Sequence, residues 1–243
     1  MPSRVFKLMN ELSGEIEPHY DIIIFDCDGV LLDSNNLKID AFRRTLEIHG
    51  FAPDVVAAAS LWQSQAFGTP RHRLFAEVLA GCFGRPPIGT DLHRLLADFG
   101  KMCASGYLSV EETPGLRGAL SALVKRARLF IVSGSDETEL RTVFQQRDLS
   151  SYFESIFGSP GSKIENIGRV KQSCLEAGWE AEGGFLFVGD AVADMEAAKA
   201  TGCDFVFMAP FSTVKSKMLE LAEAQGFQVI ENVGDLIPLR GRG

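Results

Sequence analysis

Residues 22–34 read IIIFDCDGVLLDS. An apolar run ends in two aspartates, Asp26 and Asp28, one residue apart and followed by Gly29. Like charges this close repel, and each favours protonation of the other. At the mouth of a buried strand such a pair points to a bound cation or a reacting group. Two other apolar runs end in polar residues: RLFIV in Ser133-Gly134-Ser135, and GFLFVG in Asp190, with Asp194 in the next helical turn. Several carboxylates at one point ask for a hard cation, and oxygen ligands suit Mg²⁺. A serine hydroxyl, backbone N–H groups and a helix N-terminus favour an anion such as phosphate, which Mg²⁺ commonly shares. Aspartate serves as a covalent nucleophile through an aspartyl-phosphate. A second aspartate, Asp28, can protonate a leaving oxygen and then activate water.

Such groups act together only if the fold brings them together. DIIIF (21–25) is short, apolar throughout and β-branched, the pattern of a strand buried on both faces. RLFIVSGS (128–135), GFLFVGD (184–190) and DFVFMAP (204–210) repeat that form, and GFQVI (226–230) is a weaker fifth. In this reading Ser133-Gly134-Ser135 is the turn that ends its strand. Helical patterns lie between the runs. Thr113-Pro114 reads as an N-cap and first helical residue, with Leu116, Leu120, Leu123 and Val124 at helical spacing. ADMEAAKATG (193–202) reads as a helix closed by Gly202. Strands alternating with helices give an α/β fold, a doubly wound (Rossmann-like) parallel sheet. Ligands then bind outside the carboxyl ends of the strands, where Asp26, Asp28, Ser133, Asp190 and Asp194 would meet.

Residues 36–112 break the alternation. LKIDAFRRTLEIHG, PDVVAAASLWQSQ, TPRHRLFAEVLAGC and TDLHRLLADFGKMCASG read as four helices. The expected organisation is an α/β core of residues 1–35 and 113–243 carrying an all-helical cap domain at 36–112, with hinges at SNN (34–36) and VEETPG (110–115).

Composition excludes several classes. A net charge of −8 over 243 residues argues against a nucleic-acid partner. The five cysteines (Cys27, Cys82, Cys103, Cys174, Cys203) are scattered and never in a C-x-x-C pair, which fits reduced thiols rather than disulfides or zinc. The first twenty residues contain no continuous apolar stretch for a signal peptide. No run approaches the ~18 apolar residues of a membrane span. The expectation is a soluble, cytoplasmic, acidic protein with no membrane partner.

The motifs resemble the haloacid dehalogenase superfamily of phosphohydrolases, in the capped branch that holds phosphoglycolate phosphatases and β-phosphoglucomutases. DCDGVLLDS (26–34) is similar to the first motif and IVSGS (131–135) to the second. GSPGSKIENI (158–167) is similar to the third, which supplies a lysine, and FVGDAVADMEAA (187–198) to the fourth. The resemblance implies Asp26 as nucleophile and metal ligand, and Asp28 as general acid/base that binds the metal through its backbone carbonyl. It implies Asp190 as a Mg²⁺ ligand supported by Asp194, and Ser133, Gly134 and Lys163 on the phosphoryl group. The implied activity is a Mg²⁺-dependent phosphatase acting on a small phosphorylated metabolite, a sugar phosphate or phosphoglycolate-like ester.

Several residues have rival readings. Lys171 competes with Lys163, but a turn after GSP can aim Lys163 into the crevice. Cys27 reads as a small buried filler, because period-2 alternation turns it away from its aspartate neighbours. Lys38 stands where β-phosphoglucomutase-like enzymes commonly place a histidine, five residues after Asp33. It is either a contact to an anionic part of the substrate or an exposed helix charge, and it weighs against a phosphomutase. Arg71, His72 and Arg73 read first as a solvated face, with Arg71 a candidate for substrate recognition. His19, His49 and His93 have no motif around them, and Trp62 and Trp179 read as packing. Asp28 and Asp190 together weigh against carbon–phosphorus hydrolysis and dehalogenation. A non-catalytic ligand-binding relative is the rival from another class.

Overall fold

The computed structural model describes residues 20–66 and 68–237. The reading of residues 1–19 and of His19 lies outside the described residues. Six strands form one sheet: β1 (Ile22–Phe25), β2 (Arg128–Asp136), β3 (Ser155–Ser159), β4 (Phe185–Gly189), β5 (Asp204–Met208) and β6 (Gln228–Ile230). Their order is β3-β2-β1-β4-β5-β6, and every neighbouring pair is parallel. The order reverses between β1 and β4, which opens a crevice at their carboxyl ends.

The all-apolar β1 is explained by its two faces. Ile23 and Phe25 pack into one core with Leu129, Ile131, Leu186 and Val188. Ile22 and Ile24 pack into a second with Phe130, Phe187, Ile167 and Val170. Each buried side chain of this size contributes about 1.5–3 kcal/mol, so both faces demand apolar residues.

The chain leaves the sheet after β1 and builds α1 (Asn35–Ile48), α2 (Pro53–Gln65), α3 (Arg71–Leu79) and α4 (Leu92–Tyr107) before returning. The four helices share an apolar centre in which Phe42 stacks at 4.9 Å on Phe75, and Phe75 meets Phe99 at 5.4 Å. The outgoing and returning strands of the connection are stitched together: Asp33 N–H donates to Glu111 O and Thr113 N–H to Leu31 O, each at 3.0 Å. Asn35 and Asn36 lie inside α1, so only Ser34 of the SNN segment remains between strand and helix. The remaining helices are α5 (Leu116–Leu123), α6 (Glu137–Gln146), α7 (Lys163–Glu176), α8 (Val192–Thr201) and α9 (Lys215–Gln225). α8 ends at a left-handed Gly202, as its sequence implies.

Three expectations need correction, and one strand had no counterpart among them. Thr113-Pro114 does not open α5; Gly115, with φ 73°, precedes its first residue. Thr113 instead donates its hydroxyl to Val30 O at 2.9 Å, tying the loop after β1 to the returning chain. Val124 falls beyond the helix and is exposed. β3 was not anticipated, because SIFGS has only two large apolar residues. Ser133-Gly134-Ser135 is not a turn: β2 runs through it to Asp136, with its pairing to β3 shifting after Val132. Extended backbone puts Ser133 and Ser135 on one face of the strand.

All five cysteines are free thiols, four of them buried. Among the described residues no helix is long and apolar enough to cross a membrane.

Candidate active site

Asp26 is the first residue after β1, Asp190 the first after β4, and Lys163 the first of α7. All three side chains are buried at the carboxyl ends of the strands. Lys163 Nζ sits 3.1 Å from Asp26 Oδ2 and also pairs with Asp194. Asp194 holds its place through backbone donors, its Oδ2 accepting from Asp190 N–H at 3.2 Å and Ala191 N–H at 3.1 Å. Gly29 has φ 77°, and a Cβ there would strike the Asp190 carboxylate and the Asn35 amide. The glycine of the first motif is therefore needed for both its backbone angle and its bareness.

Ligand oxygens of Asp26, Asp190 and Asp194 lie within 4.8 Å of one another. Burial pushes the Asp26 carboxyl up to about 7; Lys163 opposes this, while Asp194 and Asp28 add to it. Burial, then Asp194 and Asp26, drive Asp190 well above the usual carboxylate range. Burial pulls the Lys163 ammonium down, but Asp194 and Asp26 outweigh it and the net shift is upward. Three carboxylates thus face one ammonium, and Asp26 Oδ1 is buried with no hydrogen-bond partner. An all-oxygen donor set, excess negative charge and an unsatisfied oxygen fit a small hard divalent cation. Asp26 and Asp190 are the side chains with the means to hold it, since both Asp194 oxygens are already engaged.

Asp28 sits apart from that cluster. Its Oδ1 accepts from Ser34 Oγ at 2.5 Å and Tyr107 Oη at 2.7 Å, and its Oδ2 from Ser135 Oγ at 2.8 Å. Lys38 Nζ lies 3.6 Å from Oδ2 and donates to Ser135 Oγ at 2.5 Å. Burial raises the Asp28 carboxyl, but Lys38, Ser34, Tyr107 and Ser135 together hold it below its ordinary value. Both oxygens of its carboxylate are thus engaged by hydroxyl donors.

A cavity of about 40 Å³ lies between the strand ends and the inserted helices. Asp26, Asp28, Ser133 and Gly134 form its floor; Lys38, Gln63, Arg71 and Phe99 line its other side. Gly134 is closely covered, since a Cβ there would lie 3.1 Å from Gly68 O.

The structure therefore brings Asp26, Asp28, Ser133, Gly134, Lys163, Asp190 and Asp194 to one crevice. Lys171 is elsewhere, donating to Thr201 O at 2.5 Å. Lys38 is buried, which removes its exposed-charge reading. Arg71 is not on a solvated face either: it pairs with Glu139 of α6 at 2.9 Å, both side chains largely buried. Arg73 is exposed. Cys27 is fully buried, and burial drives its thiol up, as befits a filler. His49 pairs with Asp98 at 3.1 Å, Trp62 packs on Phe83, and Trp179 on Phe130. Tyr107, Asn35, Gln63 and Glu139 were not singled out from sequence, and Ser135 was named only as part of the Ser133-Gly134-Ser135 segment, with no role of its own. Ser135 was legible from its two-residue spacing to Ser133; Tyr107, at the far end of α4, carried no local signal.

The chain is similar to known proteins over most of its length. The chain is 28% identical to phosphoglycolate phosphatase 1 of Pseudomonas aeruginosa, over 89% of its length and 78% of the relative's. It is 25% identical to the phosphoglycolate phosphatase of Shigella sonnei, covering 90% and 92% of the two chains. In fold it is similar to CbbY from Rhodobacter sphaeroides, solved in complex with phosphate, at TM-score 0.68 and 15% identity over 89% of this chain and 96% of that one. A haloacid dehalogenase-like hydrolase from Streptococcus pneumoniae gives TM-score 0.65 at 19% identity, over 89% and 96%. The sequence pattern that defines the haloacid dehalogenase-like hydrolases matches residues 23–208, from the second residue of β1 to the end of β5, and the chain belongs to that family.

Proposed function

We propose that this chain is a Mg²⁺-dependent phosphatase that hydrolyses a small phosphorylated metabolite through an aspartyl-phosphate on Asp26, beneath a cap formed by α1–α4. The observation that carries this reading is Asp26 itself. One carboxylate oxygen is neutralised by Lys163 while the other is buried, unpartnered and next to Asp190. The phosphoglycolate phosphatases among its relatives support the reaction class.

Asp26 attacks phosphorus and the ester P–O bond breaks; Asp28, ionised in the free protein, takes up the proton carried by the bound phosphate monoester and delivers it to the leaving oxygen. Asp28 then takes a proton from water, which attacks the phosphorus of the aspartyl-phosphate and restores Asp26. Asp26 and Asp190, with the backbone carbonyl of Asp28, would hold Mg²⁺, which would supply charge neutralisation at the transferring group. Lys163 adds its ammonium on the other side of Asp26. Ser133 and the Gly134 backbone orient the phosphoryl oxygens. Asp28 exchanges a hydroxyl partner for the leaving oxygen within the small cavity between the strand ends and the inserted helices.

The test is phosphate release from a panel of phosphorylated metabolites, with Mg²⁺ and with chelator, for the wild type and Asp26→Asn. Metal-dependent release in the wild type, lost in a folded variant, is the expected result. No release from any ester by folded protein that binds Mg²⁺ would overturn the reading.

A further inference from the structure

We infer that the leaving-group side of the cavity is built for an uncharged, hydroxylated group rather than a carboxylate, with the Arg71–Glu139 pair as charge filter and Gln63 as reader. This rests on the phosphatase reading for its chemistry and on the cavity lining for its specificity.

Two cations approach the cavity from the inserted helices, Lys38 and Arg71. Both already have an anionic partner from the core. Lys38 lies against Asp28 and Arg71 against Glu139, whose Oε2 accepts from Arg71 Nη2 at 2.9 Å. No positive charge on this side is left over. A substrate carboxylate on Arg71 would have to share the guanidinium with Glu139, setting two buried carboxylates against one cation, which is costly. Burial already raises the Glu139 carboxyl, with Lys38 and Arg71 opposing it.

Gln63 adds a second, independent observation. Its side chain is buried on the cavity wall, and its Oε1 has no hydrogen-bond partner. An unsatisfied buried acceptor asks for a donor. A hydroxyl has one and a carboxylate has none. Arg71 Nε–H is likewise buried and unpartnered, and asks for an acceptor. A hydroxyl offers both functions at once, while Leu74 and Phe99 supply apolar wall for a short carbon chain.

Three esters of nearly equal size separate the possibilities: 2-hydroxyethyl phosphate, ethyl phosphate and 2-phosphoglycolate. The wild type should turn over the hydroxylated ester with a kcat/KM at least tenfold above the other two. Gln63→Leu should bring the hydroxyethyl-to-ethyl ratio toward one, mainly through KM. Glu139→Gln keeps an acceptor for Arg71 while releasing its charge, and should raise the 2-phosphoglycolate-to-hydroxyethyl ratio at least tenfold. Calorimetric binding of the same esters to Asp26→Asn reads the preference without turnover. Preference for 2-phosphoglycolate in the wild type, by rate or by binding, overturns the inference while leaving the phosphatase reading intact. Absence of turnover with the binding preference retained overturns the phosphatase reading and leaves the charge filter standing.

Discussion

Tyr107 and Asp28, separated by 79 positions in sequence, are joined by a hydrogen bond of 2.7 Å from the phenol to Asp28 Oδ1. The last residue of α4 thus reaches the loop after β1, so the inserted helices touch the proposed acid/base directly. Tyr107 is fully buried and also lies 3.1 Å from Ser135 Oγ. Tyr107→Phe keeps the ring and removes the donor. A hydrogen bond to a charged group is worth about 1.5–3 kcal/mol. The variant should lose stability of that order in urea unfolding and lower kcat more than it raises KM. An unchanged kcat would mean that Tyr107 only packs.

Asn35 bridges two loops, its Nδ2 donating to Asp190 Oδ2 at 2.6 Å and to Phe211 O at 2.9 Å. Groups that orient a metal ligand typically change affinity by about 10–100-fold when removed. Mg²⁺ should raise the thermal midpoint of the wild type, since a ligand at ~100 times its Kd adds about 2.7 kcal/mol. Asp190→Asn should abolish that rise. Asn35→Ala should shift the Mg²⁺ titration to at least tenfold higher concentration. Equal titration curves for wild type and Asn35→Ala would show that Asp190 orients itself.

What the sequence made legible was whatever is local. The alternation of apolar runs and helices marks five of the six strands, and the strand ends place Asp26, Asp190 and Ser133 without knowledge of packing. β3 escaped because its existence depends on a close approach rather than on apolarity. A Cβ at Gly158 would collide with Ser135 O and with the backbone of Glu137, so a glycine permits the strand to lie there. The partners of Asp28 were half legible. Ser34 and Ser135 belong to the first two motifs, but Lys38 and Tyr107 arrive from opposite ends of a four-helix excursion. The solvated-face reading of Arg71 failed for the same reason: its partner Glu139 lies on α6, across the crevice, and nothing near residue 71 announces it.

Glu137 offers a test of stability against pH. It opens α6 and binds three elements: Arg141 Nη2 at 3.1 Å, Gly158 N–H of β3 at 3.1 Å and Arg169 Nη1 of α7 at 2.9 Å. Burial raises its carboxyl, but Arg169, the Gly158 N–H and Arg141 outweigh burial and hold it below 4.5. A depressed folded-state value means stability that is fully present above the unfolded value and lost as pH falls through the folded one. Glu137→Gln should therefore be less stable than wild type at pH 7, and the gap should narrow as pH falls below the ordinary glutamate value of about 4.3. Urea midpoints across that range measure it. A gap independent of pH would assign the loss to shape rather than charge.

Lys163 carries the sharpest electrostatic consequence. Its ammonium is the cation that Asp26 and Asp194 share, and all three side chains are buried. Removing one partner of a buried ion pair leaves uncompensated charge and costs about 3–5 kcal/mol. Lys163→Met keeps much of the chain volume and deletes the charge, so the metal-free variant should be destabilised by roughly that amount. The cluster would then hold its carboxylates with no internal cation, and Mg²⁺ should stabilise the variant more than it stabilises the wild type. Phosphate release should fall in the variant even at saturating Mg²⁺, because Lys163 pairs with Asp26 Oδ2 and the metal would take the unpartnered Oδ1. Urea unfolding with and without Mg²⁺, beside phosphate release, separates the two effects. A metal-free loss under about 1 kcal/mol, the size of an exposed pair, would mean that Lys163 does not hold the cluster together.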